Sequence, residues 1–356
     1  MIYFLKFFKG YNSMRIPAKS PEAKISSMLV EELQTYFVSK LNDISLKLGN
    51  AKVFEAVEWE RDEGLHGGGV RYEARDESVF NRASLNVSQV HYDDERKRLS
   101  SATAISTIIH PHNPHAPSMH MHISWTQMRD GNGYWRVMAD LNPSLENKDD
   151  KNTFDCMLEK SSKKYYKEGT EQGNKYFNIP VLNRTRGVSH FYLENFNTGD
   201  FEADKEFSKN MGERVIDSYI SIIEHNIKTY TEVTASQKQA QLDYHTLYLF
   251  QVLTLDRGTT SGLLVHSQND VGIMGSIPSH VNRDLLESWV QKMQKPQDTL
   301  VVALLDALSK ENPTPVEVDT KKKLAQAVRE HYKNFPEALG MQATGGIIPP
   351  TVKNHS

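Results

Sequence analysis

The sequence predicts an α+β fold in which helices pack on one large, mainly antiparallel sheet, and three observations predict it. Six or seven strand-like segments follow one another through turns and hairpin signals instead of alternating regularly with helices. Residues 118–128 alternate cleanly: Met119, Met121, Ile123 and Trp125 face one way, and His120, His122, Ser124 and Thr126 the other. Long stretches with helical spacing flank this strand-rich block on both sides.

In chain order, Ser20-Pro21-Glu22 opens a helix with a capping serine, proline in the first position and an acid behind it. Ile25, Met28, Leu29, Leu33, Phe37, Leu41 and Ile44 recur at helical spacing until Gly49-Asn50 ends the element. A strand over 53–59 leads through a glycine-rich turn (Gly64, Gly67, Gly68, Gly69) to a strand at 70–72, and 79–91 is a further extended stretch. Residues 104–110 are β-branched and apolar, the profile of a buried strand. A proline-rich turn precedes the alternating strand, and Asp130-Gly131-Asn132-Gly133 is hairpin chemistry returning as a strand over 134–141. Residues 149–166 read as a helix, 188–194 as a strand, and 204–231 as a long amphipathic helix with Phe207, Met211, Val215, Tyr219 and Ile227 inward. Further strands are predicted at 247–255, 262–265 and 272–277, and helices at 283–293, 299–309 and 321–332. The domain organisation is then a flexible leader (1–19), one domain (20–312), and a C-terminal helix with a disordered tail (313–356).

Composition narrows the function. Net charge is −3 and the isoelectric point about 6.5, so there is no basic field to hold nucleic acid or an anionic membrane. Mean hydropathy is −0.56, and no stretch approaches a membrane span; Ile2-Tyr3-Phe4-Leu5 is too short for a signal-peptide core. It reads as a floppy leader, or as an over-long start with Met14 as the beginning. The single cysteine, Cys156, excludes a disulfide framework and cysteine-type zinc sites and suits a reducing, cytoplasmic location. There is no phosphate-binding loop, dinucleotide fingerprint or nucleophile elbow.

The chemistry concentrates at His110-Pro-His112-Asn-Pro-His115-Ala-Pro-Ser-Met-His120-Met-His122, which holds five of the fourteen histidines. Imidazole moves protons near neutral pH and is the commonest metal ligand. Spacing of two on a strand puts His120 and His122 on one face, with His110 at the end of the preceding strand, so a polar cavity face is predicted. A metal chelated by His120 and His122 with one distant histidine competes with that reading, although no carboxylate stands at ligand spacing.

Several segments occur in an order and spacing that resemble the oxygen-dependent coproporphyrinogen III oxidase family. They are Trp59 with Gly67–Gly69 and Arg71; Asn86-Val-Ser88-Gln-Val90-His91; and Ser106 through His110-Pro-His-Asn113-Pro to Pro117 and His120. Tyr134-Trp135 leading to Asp140-Leu141-Asn142-Pro143, Arg186-Gly187 with Phe191 to Glu194, and Asp256-Arg257-Gly258-Thr259 complete the series. The resemblance implies a seven-stranded antiparallel sheet between helices, a homodimer, and oxidation of a tetrapyrrole's propionates to vinyl groups. Dioxygen is the co-substrate, no cofactor is required, and a divalent metal is an open alternative, for which the resemblance implies His110 and His120 as ligands. It assigns His120 as proton donor, Asp140 as a carboxylate facing pyrrole N–H groups, and Ser106 as a substrate contact. Asn113, Arg71 and Arg257 join the candidate substrate-binding set.

The chain departs from the family pattern where arginines clamp propionates. Ser124 replaces one, and His266-Ser267-Gln268 replaces a glycine-glycine-arginine motif. Arg136-Val137-Met138 stands where the family has three glycines. Protonated His122, His190 and His266, with Arg136, are the expected compensation, which places His122, Ser124, His266 and Gln268 in the substrate-binding set. Three activities fit: the oxidase, a paralogue for another tetrapyrrole or carboxylate that uses a histidine-bound metal, or a non-catalytic tetrapyrrole binder.

Overall fold

The computed structural model describes residues 15–347, apart from the side chain of Ser267. The leader up to residue 14 and the tail from 348 lie outside the described residues. Residues 15–19 are tied to the sheet: the Ile16 N–H donates to Gly64 O (2.9 Å) and the Ala18 N–H to Gln89 Oε1 (2.8 Å).

Helix α1 (Pro21–Leu48) starts as its sequence requires, with the Ser20 side chain accepting from the Ala23 N–H. Seven strands follow: β1 (Glu55–Glu60), β2 (Gly67–Glu73), β3 (Phe80–His91), β4 (Leu99–Pro111), β5 (Ser118–Met128), β6 (Gly133–Asn142) and β7 (Ser189–Phe196). They form one antiparallel sheet in chain order, each strand paired with the next. The expected glycine turn is therefore partly strand, since Gly67–Gly69 open β2. A Cβ on Gly69 would lie 2.0 Å from Val87 O, a separation that no side chain allows.

One face of the sheet is apolar. Met119, Met121, Ile123 and Trp125 of β5 and Val137, Ala139 and Leu141 of β6 pack under α1 and α4 (Phe201–Thr229). Those helices contribute Leu33, Phe37 and Leu41, and Met211, Val215 and Tyr219. Met28, expected in the α1 stripe, is instead 61% exposed. Between β6 and β7 run α2 (Lys148–Ser162) and α3 (Tyr166–Tyr176). Gly169 and Gly173 let α3 lie directly on β7, because Cβ atoms there would meet Phe191 at 2.2 Å and His190 at 2.9 Å.

The other face is covered by α5 (Ala235–Thr254), α6 (Arg257–Val265), α7 (Asp270–Ile273) and the segments after them. A second core gathers Tyr248 and Leu253 of α5 with α8 (Arg283–Glu287), α9 (Gln297–Ala307) and α10 (Val318–Asn334). The strands expected at 247–255, 262–265 and 272–277 are all helical. Residues 244–254 are buried without interruption, so the helix lacks a polar face and its apolar run mimics a buried strand. Asp256 is the N-cap of α6, accepting from the Thr259 N–H (2.6 Å). The helix expected over 283–293 is a five-residue helix followed by a short 3₁₀ turn. No described helix is long and apolar enough to cross a membrane.

Candidate active site

Because strand register fixes which side chains share a face, the polar alternation of β5 extends into three rows across the sheet. One row runs Arg71, Asn86, Ser106, His122, Met138, Tyr192, and the next runs Glu73, Ser84, Ile108, His120, Asp140, His190. The third passes from Ser88 through Ala104 and Ser124 to Arg136. All of these residues except Arg71, Glu73, Asp140 and His190 floor a cavity whose open space, counted out to its mouth, is about 1700 Å³. Tyr248, Asp256, Arg257, Gly262 and Ile273 belong to the opposite wall, and Trp59 and His266 meet at the rim with ring centroids 6.2 Å apart.

At the centre, the Nδ1–H of His120 donates to Asp140 Oδ1 at 2.9 Å, leaving Nε2 as the free nitrogen of a ring on the cavity wall. Asp140 is completely buried and does not line the cavity. Its second oxygen accepts from Arg186 Nη2 (2.7 Å) and Asn142 Nδ2 (2.6 Å). Burial would raise this carboxyl, but Arg186 and then His120 outweigh it and hold it well below the usual carboxylate range. Arg186 is itself fixed by Gln251 Oε1 (2.7 Å) and lies over the rings of Phe177 and Tyr248. The arrangement is an imidazole oriented from behind by an ionised carboxylate, which a buried guanidinium in turn holds ionised.

Ser106, His122, Ser124, Arg257 and His266 all line the cavity. Arg257 donates to Glu194 Oε1 at 2.8 Å. The expected imidazolium clamps are neutral instead. Burial, reinforced by His120 and Arg136, pushes His122 down to about 3; burial and Arg61 push His266 down to about 4. His190 is lowered chiefly by burial and is occupied by Asn174 and the Arg186 carbonyl. Cationic charge on the wall therefore comes from Arg136, Arg257 and Arg186.

Besides Asp140, four sequence candidates lie away from the cavity. Asn113 braces a turn, donating to Tyr230 O (2.6 Å) and accepting from the His115 N–H. Arg71 lies beneath α7 and pairs with Glu73 at 2.7 Å. Gln268 is exposed outside the rim, where it accepts from the Asp62 N–H. His110 is completely buried among Tyr244, His245 and Tyr248, with Nδ1 bonded to Ser118 Oγ (2.8 Å). His110 and His120 thus commit one nitrogen each to different neighbours. Among the described residues no group of three or more His, Cys, Asp or Glu side chains is arranged to hold a metal ion, so the donors do not fit the metal alternative.

Arg186, Tyr176, Tyr192 and Glu194 were not among the sequence candidates. The Arg186-Gly187 pair carried a signal, because Gly187 has φ +81° and turns the chain that aims the guanidinium at Asp140.

A sheet of this topology with a histidine–carboxylate pair under a helical roof defines a class of enclosed-cavity α+β protein. The coproporphyrinogen III oxidase family model matches residues 25–312, and the chain belongs to that family. The chain is similar to the oxygen-dependent coproporphyrinogen-III oxidase, mitochondrial, of Rattus norvegicus, with 26% identity over 72% of this chain and 61% of the relative. The Rickettsia bellii (strain OSU 85-389) protein of corresponding name is 28% identical over 64% of this chain and 84% of its own length. The Drosophila melanogaster relative is 26% identical over 71% of this chain and 70% of its own length. The chain thus spans about three fifths of the mammalian relative it matches.

Proposed function

We propose that the protein is an oxygen-dependent oxidase that converts propionate side chains of coproporphyrinogen III to vinyl groups, in the cytoplasm and as a homodimer. The observation that carries this reading is His120 on the wall of the cavity, with Asp140 and Arg186 locked behind it. Loss of CO₂ and of the hydrogen with its electron pair from the adjacent carbon forms each vinyl group; dioxygen accepts the two electrons and two protons. His120 Nε2 is the group placed to exchange a proton with the substrate, and Asp140 keeps the ring in the tautomer this requires. Asp140 acts through His120 in this proposal, because it is buried behind the ring and does not line the cavity. Arg257 and Arg136 are proposed to receive propionates, and Ser106 and Ser124 to line the ring's resting place.

A second reading has one specific observation in its favour. With His122 and His266 neutral and serine at 124, the wall offers few cations, which suits a less carboxylated tetrapyrrole. Anaerobic incubation with reduced coproporphyrinogen, oxygen addition and product chromatography separates the readings. Vinyl-bearing product supports the first. Binding without product, together with turnover of a dicarboxylated porphyrinogen, supports the second.

A further inference from the structure

Two cations outside the cavity stand without an anion. Arg82 of β3 lies two residues before Ser84, which pairs with Glu73 of β2, and it sits opposite His110 of β4 on the roof side of the sheet. Its Nε is sealed from solvent, and among the described residues the guanidinium has no hydrogen-bond acceptor or ion-pair partner. Lys321, in the first turn of α10, is 6% exposed, and its ammonium likewise makes no hydrogen bond or ion pair among the described residues. The anchoring of α10 brings the two together. The Val316 N–H donates to Ser279 O (2.8 Å), the Ser279 N–H to Asn81 Oδ1 (3.0 Å), and Asn81 Nδ2 to Ser279 Oγ (2.8 Å). Asn81 is the chain neighbour of Arg82, and a helical side chain such as Lys321 leans toward its own helix start. The carboxylate of this neighbourhood is already occupied: Glu73 Oε1 accepts from Arg71 (2.7 Å), and Oε2 pairs with Arg75 (3.3 Å). Exposed Glu77 attracts Arg82 without pairing with it. Burial and then Arg82 push the Lys321 ammonium down to about 8, and burial lowers Arg82 as well.

We propose that Arg82 and Lys321 form a binding site for a small, doubly charged oxyanion of the phosphate or sulfate type, which ties the start of α10 to β3. Charge without a counter-charge is costly to bury, so two such cations call for an anion from solution. A tetrahedral oxyanion presents several acceptors at once, which suits a guanidinium fork and an ammonium together, and its two charges balance both groups. Neither residue lines the cavity, so this site is separate from the one floored by His120. Helix α10 packs into the second core through Leu324, Val328 and Tyr332, and it lies beyond residue 312, where the family match ends. The anion is thus a fastening for a segment that the family match does not cover.

Calorimetric titration of the full chain with inorganic phosphate at pH 7 and constant ionic strength, repeated with sulfate, tests the proposal. Saturable binding at one site is expected. Arg82→Met and Lys321→Met keep side-chain bulk, and each is expected to weaken binding at least about tenfold. Glu73→Gln removes a competing anion and is expected to tighten binding roughly threefold, a change that damage to the fold would not produce. Saturating coproporphyrin should leave the phosphate titration unaltered, since neither cation lines the cavity. No saturable binding of either anion by the parent, or undiminished affinity in either methionine variant, would overturn the proposal. So would a Glu73→Gln variant that binds no more tightly, or competition by coproporphyrin, which would put the anion on the cavity arginines instead.

Discussion

The two faces of the sheet are made from the same seven strands, yet they obey different physics. Under α1 and α4, side chains such as Phe37, Met121, Trp135 and Tyr219 fill space and are almost fully buried. Stability there comes from apolar area removed from water and from close packing. Under α5 and α6 the alternate residues are His120, His122, Ser124, Arg136 and Asp140, and the space between them and the roof stays open. One face holds the protein together, and the other is kept polar and partly empty at the expense of packing. Such a division is what a binding or catalytic surface on a stable scaffold requires.

The comparison can be attacked from either side. His120→Ala is expected to lower turnover by about 10²–10⁴-fold while leaving the melting temperature nearly unchanged, because proton transfer is lost but little packing is. Steady-state kinetics beside calorimetry reads both quantities. Phe37→Ala, on the apolar face, is expected to cost about 3–5 kcal/mol in denaturant unfolding, with KM unaltered in the molecules that remain folded. Asp140→Asn tests the one place where the polar face also carries stability. It leaves Arg186 as a buried charge without its anion, so a loss of about 3–5 kcal/mol is expected together with a fall in kcat at little change in KM. A variant as stable as the parent would show that the Asp140–Arg186 pair is dispensable to the scaffold.

A smaller effect separates paired from crowded charge. Lys321 on α10 is buried beside Arg82 and Arg71, and burial with these neighbours pushes its ammonium down to about 8. The folded chain therefore releases this proton at lower pH than the unfolded chain does. Stability should rise between about pH 8 and 10.5, by at most about 3 kcal/mol, and Lys321→Met should flatten the rise. The smallest expected effect is at Ser124, where arginine would restore a clamp to the floor. Affinity for a tetra-acid porphyrin should tighten roughly tenfold in Ser124→Arg, measurable by fluorescence titration.

The legible parts of this molecule were those governed by local periodicity. The alternation over 118–128 located the site's floor, Ser20-Pro21 located the first helix, and the Asp-Gly-Asn-Gly turn located the β5–β6 hairpin that sets His120 opposite Asp140. The roof was illegible for a physical reason. Helix α5 is buried over 244–254, so it displays neither a polar stripe nor alternation, and its apolar run reads as strand. Electrostatics in the site were equally hidden. Sequence placed histidines near the positions where arginines were expected, but only burial shows that His122 and His266 stay neutral. Nor could spacing reveal that Asp140 turns away from the cavity toward Arg186, a partner 46 residues distant in the chain.

Release of CO₂ from coproporphyrinogen labelled in its propionate carboxyls tests the central claim most directly, with His120→Ala and a chelator as parallel arms. The account predicts oxygen-dependent release that the chelator leaves intact and the substitution slows at least about a hundredfold. Labelled CO₂ released equally fast by the variant, or none released by a folded parent that binds the substrate, would contradict it.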